Sequence, residues 1–208
     1  VIVVEDDIVT SPYFLKFMNS ALDYYQNEEK VYHISGWNYP IDSKDLDDVF
    51  FWRVMNCWGW ATWANRWQCF NKNVDKIISE FDSKMIKSFD LDNSGVFWKQ
   101  ILNNKKGKLN TWGIFWYASI YSNGGLCLHP TQAYVRNIGD DGSGNSHRTT
   151  HRLPKQSLNL KSEVIFNDSV SESSIAVERI KKYYSNKKRS ILSRFVDKLT
   201  RWKLTWNA

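Results

Sequence analysis

Three consecutive carboxylates, Glu5, Asp6 and Asp7, follow the apolar run Val1 to Val4 and form the densest chemistry in the sequence. Hard divalent cations such as Mg²⁺ and Mn²⁺ take oxygen ligands, so an acidic cluster at a strand end is suited to hold one. The residues leave three readings open. The cation could sit beside a phospho-accepting aspartate, it could bridge a nucleotide-sugar diphosphate, or the acids could simply open a loop.

The first reading requires a second aspartate at the end of a later strand and a Lys-Pro pair further on. "VYHISG" ends in Ser35 and Gly36, "DVFFWRV" ends in Arg53 and Val54, and no Lys-Pro dipeptide occurs in the chain. A phosphorelay receiver is therefore excluded. Other groups add less. His33 and His129 lie in apolar strand contexts and read as structural, and His151 has no assigned role. Cys57, Cys69 and Cys127 are odd in number and lack CxxC spacing, which argues against a disulfide framework or zinc site and fits a reducing compartment.

The elements that must position the acids are legible from periodicity. Val1 to Val4 predicts a central strand, apolar on both faces, and Ser11-Pro12 predicts an N-cap with a first-turn proline. Phe14, Leu15, Met18, Ala21, Leu22 and Tyr25 recur at helical spacing, and "VYHIS" predicts the next strand. Strand, helix, strand implies a parallel α/β unit. "DVFFWRV" predicts a strand, and "ATWANRWQCF" a helix with Trp63, Trp67 and Phe70 on one face. Helical periodicity runs from Lys72 to Lys108. "GIFWYASIYSNGG" predicts a helix stopped by Gly124 and Gly125, "LCLHP" a strand, and "NIGDDGSGNSH" a glycine-rich loop. A central strand needs a neighbour on each side. The opening run thus carries the expectation that an earlier half of the domain, with the nucleotide-base pocket, precedes Val1.

In order, "VVEDDIVTSPYFLKFMNSAL", "ISGWN", "CWGWATWANRW", "FWYASIYSNGGLCLHP" and "VRNIGDDGSGNSH" resemble the bacterial glycosyltransferases related to family 2 and to N-acetylglucosaminyltransferase I. The resemblance spans about positions 1 to 147. It implies an α/β fold of GT-A type, a Rossmann-like nucleotide-diphospho-sugar transferase domain at 1–150. A helical extension at 151–186 and a basic tail at 187–208 follow. The implied reaction is inverting transfer from a nucleotide-sugar, a UDP-sugar foremost, to a glycan or lipid-linked glycan acceptor, with Mn²⁺ or Mg²⁺ as cofactor.

The resemblance also distributes roles. Asp7 matches the metal ligand, Glu5 and Asp6 its donor-binding neighbours, and Trp58, Gly59 and Trp60 the turn at the donor and acceptor pocket. Trp112 falls at the acceptor side. Arg136 and Gly142 belong with the donor, and His147 is a further candidate metal ligand. The loop Asn137 to His147 corresponds to a lid, whose closure would exclude water. In N-acetylglucosaminyltransferase I the general base is an Asp just after a Trp. Gly113 follows Trp112 here, so the base is displaced, and Asp141 or Asp140 in the loop is the remaining candidate.

Charge separates the tail from the body. The net charge is +6, and Lys187 to Lys203 holds seven basic residues against the one acid Asp197, leaving the rest balanced. A balanced body argues against nucleic-acid binding. In the tail Ile191, Phe195, Leu199 and Trp202 fall near one helical face among cations, a pattern that either lies on an anionic membrane or packs on the body. With no signal peptide and no membrane-length apolar run, the expected place is the cytoplasm, peripheral to the inner face of the membrane. The competing function is a non-catalytic carbohydrate-binding or degenerate transferase-like module, in which the aromatics bind glycan and the acids hold no metal.

Overall fold

The computed structural model describes residues 1–139 and 156–186. Its centre is a five-stranded mixed sheet in the order β1-β5-β3-β6-β4. These strands are β1 (Ile2–Val3), β3 (Val31–Ser35), β4 (Val49–Trp52), β5 (Trp60–Ala61) and β6 (Leu126–Pro130). A separate antiparallel pair joins β2 (Ile8–Thr10) to β7 (Val135–Asn137). The predicted strands at "VYHIS", "DVFFWRV" and "LCLHP" all form.

Two expectations for the opening residues need correction. β1 is an edge strand, paired only with β5, and Val1 and Val4 are 71% and 45% exposed. It reads as central because all four residues are apolar, but among the described residues β5 alone supplies a ladder for it. β5 is antiparallel to both β1 and β3 and lies between them, so the strand–helix–strand unit is split by an inserted strand. Ser11 does not cap the helix by its side chain to a helical amide. Helix α1 (Phe14–Tyr24) starts three residues later, after a turn in which Phe14 N donates to Ser11 O at 3.1 Å. The Ser11 hydroxyl instead donates to Asn159 O at 2.5 Å and accepts from Tyr13 N.

The sheet separates two cores. Side chains alternate along a strand, so Val49 and Phe51 of β4 join Phe14, Phe17, Met18 and Ala21 of α1, while Phe50 and Trp52 face the other way. On that second side lie α3 (Val74–Glu80), α4 (Ser83–Phe89), α5 (Trp98–Lys105) and α6 (Gly113–Ser122). In α6 every residue from Ile114 to Ile120 is buried, as expected of a helix with no polar face. A last helix, α7, covers residues 174–186 and buries Ala176, Val177 and Ile180 in the same core. The Arg53 guanidinium clamps the segment before α7, donating from Nε to Glu172 Oε1 at 2.8 Å.

The "ATWANRWQCF" helix is shorter than its periodicity suggests. Trp60–Ala61 is strand, and only Ala64–Trp67 forms a helix, α2. Trp63 consequently parts from its expected partners, donating through Nε1 to Leu22 O at 3.2 Å, while Trp67 stacks on Phe70 at 4.7 Å.

Gly59 joins the halves of this region. Its φ is +56°, and a Cβ there would lie 2.8 Å from Val135 Cγ1. Its carbonyl accepts from Gly36 N at 2.7 Å. Gly59→Ala adds a left-handed backbone penalty of about 1–2 kcal/mol to that overlap. The expected outcome, checked by thermal denaturation, is a Tm lowered by roughly 5–10 °C; an unchanged Tm would show that the Trp58–Trp60 turn has another conformation of equal stability.

Candidate functional site

The three carboxylates occupy the turn between β1 and β2, closed by Ile8 N donating to Glu5 O at 3.2 Å. Because β2 pairs with β7 in the register Ile8↔Asn137, Val9↔Arg136 and Thr10↔Val135, the start of the glycine-rich segment lies against this turn. Asn137 Nδ2 donates to Asp7 Oδ2 at 2.9 Å, and Ile138 N donates to Asp7 O at 2.9 Å. Asn137 is itself fixed, its Oδ1 accepting from Gly139 N at 2.8 Å. Gly139 is bare by necessity, since a Cβ there would sit 2.4 Å from Asp7 Oδ2. The other carboxylate oxygen, Asp7 Oδ1, is buried and without a hydrogen-bond partner among the described residues.

Electrostatics tie the three acids together. Burial, followed by the charges of Asp7 and Asp6, holds the Glu5 carboxyl above its ordinary value. Burial also pushes the Cys57 thiol up to about 12, helped by the negative charge of Glu5. Cys57 is thus an inert wall rather than a nucleophile. Asp6 is exposed and points the turn toward solvent. Among the described residues, no group of three His, Cys, Asp or Glu side chains converges on one point.

The remaining candidates divide. Trp58 is half-buried, edge-on to Trp37 at 4.9 Å, with its backbone N–H donating to Asn56 Oδ1 at 2.9 Å. Trp60 is in the aromatic core, stacked on His33 at 5.2 Å and 5.3 Å from Trp112. Only 5% exposed, it presents no cleft-facing surface. Arg136 is brought to the turn by the β2–β7 pairing, but strand alternation sets it on the face opposite Asn137. Trp112 and Gly113 border a cavity of about 440 Å³, and Asn56 and Cys57 border it from the side of the acidic turn. A larger cavity of about 590 Å³, along β4 and residues 166–175, shares no residue with either. Asp140, Asp141, Gly142, His147 and His151, and the tail from Lys187, lie outside the described residues.

The two strand histidines are structural in geometry. His33 Nδ1 accepts from Trp116 Nε1 at 3.2 Å, so its proton is on Nε2, facing Asn56 O at 3.0 Å. Both ring nitrogens of His129 face carbonyls, of Trp37 at 2.9 Å and Val54 at 3.1 Å. Burial brings His129 down to about 4, so the neutral ring serves only one of them.

Sequence reasoning missed Asn137 as the residue that orients Asp7, and Gly139 as the residue that makes room for it. Both stood in the quoted "RNIG", where the glycine alone signalled a close approach. No protein-family model matches the chain, and no curated protein matches it.

Proposed function

We propose that this chain carries a GT-A-type glycosyltransferase domain, acting on a nucleotide-sugar donor, a UDP-sugar foremost, and a glycan acceptor. The observation that supports it most is Asp7: one oxygen oriented by Asn137, the other buried and without a partner among the described residues. An orphaned carboxylate oxygen carries a desolvation penalty that a cation would offset. Such a site fits Mg²⁺ or Mn²⁺, since these cations need only one or two carboxylates when substrate phosphates complete their shell. When bound, the cation would neutralise the charge that gathers on a departing diphosphate.

The chain's own residues do the rest. Asn137 and the Ile138 amide fix the angle of Asp7, and Glu5 adds negative charge behind it. Gly139, having no Cβ, lets its own backbone lie close to the carboxylate. The base that would take the acceptor proton is not at position 113, and Asp141 is its candidate by sequence. Contact with an anionic membrane through residues 187–208 would suit a lipid-linked acceptor. None of the helices among the described residues is long and apolar enough to cross a membrane.

Calorimetry tests the reading: Mn²⁺ is expected to raise the affinity for UDP at least tenfold, with one site per chain. Absence of binding by UDP and by other nucleoside diphosphates, with and without Mn²⁺, would overturn it. The Glu5 shift adds a sign. Protons and the cation compete, so Mn²⁺ affinity should climb as pH rises through the range just above 4.5, the ordinary value for a glutamate. A pH-independent affinity between 4.5 and 7 would remove Glu5 from the site.

A second reading, a carbohydrate-binding module without catalysis, is favoured by one observation. Among the described residues, the wall of the cavity beside Trp112 contains no carboxylate. Glycan binding without any metal-linked nucleotide binding would select it.

A further inference from the structure

The cavity beside Trp112 has a wall whose chemistry specifies its occupant. At about 440 Å³ it falls within the roughly 300–1,000 Å³ of small-molecule sites. Among the described residues, no Asp, Glu, Lys, Arg or His contributes to it. Rings of Trp112 and Tyr184 stand in the wall beside four uncharged polar side chains, Asn56, Gln100, Asn110 and Thr111.

Each of those four has one hydrogen-bonding group engaged and another without a partner among the described residues. Asn56 Oδ1 accepts from Trp58 N, leaving its amide N–H₂. Asn110 Oδ1 accepts from Lys72 Nζ, again leaving N–H₂. Gln100 Nε2 donates to Val96 O, leaving Oε1, and Thr111 Oγ1 accepts from Asn104 Nδ2, leaving its hydroxyl proton. Donors and an acceptor therefore share the lining with aromatic residues.

We propose that this cavity binds one uncharged pyranose ring of the acceptor and discriminates against a ring bearing a carboxylate or phosphate. The proposal rests on the transferase reading for the word acceptor, and on the wall alone for the chemistry of the ring. A pyranose has apolar C–H faces and a rim of hydroxyls that donate and accept, which matches aromatic and amide groups together. A purely apolar ligand would leave the four polar groups unpaired, at a cost of about 1–3 kcal/mol each where they are desolvated. An anionic ring would meet no counter-charge from the described residues of the wall. The amides at the start of α6 offer only partial positive charge, and Glu5, felt across Cys57, opposes an anion.

Saturation-transfer NMR on the full chain tests this, using lactose, chitobiose and cellobiose against matched disaccharides ending in glucuronate, with Mn²⁺–UDP binding measured calorimetrically in a parallel sample. At least one neutral disaccharide is expected to show transfer and the uronates none. Gln100→Met and Thr111→Val should each weaken the neutral sugar at least fivefold while Tm stays within a few degrees. Equal or stronger transfer to the uronates, no transfer to any neutral sugar, or neutral binding indifferent to both variants would overturn the proposal. Sugar binding with no nucleotide binding upholds the cavity's chemistry and overturns the transferase reading. Nucleotide binding with no sugar binding does the reverse.

Discussion

Asp7→Ala is expected to remove metal-linked nucleotide binding, a loss of about 100-fold or more, while the fold persists. Among the described residues, the carboxylate is the one group of the acidic turn with an oriented oxygen and an unpartnered one. Among the described residues, its loss leaves only the Asn137 Nδ2 without a partner, on a half-buried residue that water can reach. It also removes a like charge from Glu5, so the Glu5 carboxyl should fall back toward 4.5. Asn137→Ala acts one step removed, on the angle of Asp7, and should weaken Mn²⁺ by roughly 10–100-fold, the usual effect of losing an orienting partner. Calorimetry with Mn²⁺ and UDP on both variants reads these losses. Retention of Mn²⁺ affinity within threefold in Asp7→Ala would end the assignment of this carboxylate to a metal.

The second large effect is structural. Asp90 is 5% exposed, and its carboxylate accepts from three backbone amides: Gly95 N at 2.7 Å, Phe97 N at 2.8 Å and Trp98 N at 3.0 Å. It acts as a cap at a distance, since α5 begins at Trp98 and its N-cap residue, Phe97, has no capping side chain. The intervening loop is strained. Leu91, Asp92, Asn93 and Gly95 all have positive φ, between 47° and 71°. Asp90→Ala strands three amides and releases that loop, and hydrogen bonds to a charged group are each worth about 1.5–3 kcal/mol. Urea unfolding should show a loss of roughly 3–5 kcal/mol, with a smaller loss for Asp90→Asn, which keeps one acceptor oxygen. A change under 1 kcal/mol for Asp90→Ala would mean that the loop holds itself. Val96, Phe97 and Gln100 border the cavity beside Trp112, so the same variant should also blunt sugar binding there.

How far the sequence could be read depended on the range of the interaction concerned. α6, β3, β4 and β6 follow from local periodicity and form where it places them, while α1 follows the same periodicity but begins at Phe14, past the Ser11-Pro12 start. β1 was read as central because burial was inferred from residue type, and pairing partners are not encoded locally. The Trp63–Trp67–Phe70 face failed for a related reason: Trp60–Ala61 was claimed by the sheet, shortening the helix that would have aligned them. The acidic turn was legible as a cluster of charges. Its geometry was not, because the residue that orients Asp7 arrives from a strand pairing far along the chain.

That pairing sets a timetable for synthesis. Asp7 and Asn137 are 130 residues apart, and at about 5–20 residues per second a ribosome needs roughly 7–26 s to make the second after the first. During that interval Ile8–Thr10 has no ladder partner from β7, and the acids have no Asn137 to orient them. Assembly of the turn is consequently a late event of folding, governed by the slow closure of a long loop, and a nascent chain stalled before Val135 would carry the carboxylates without the site.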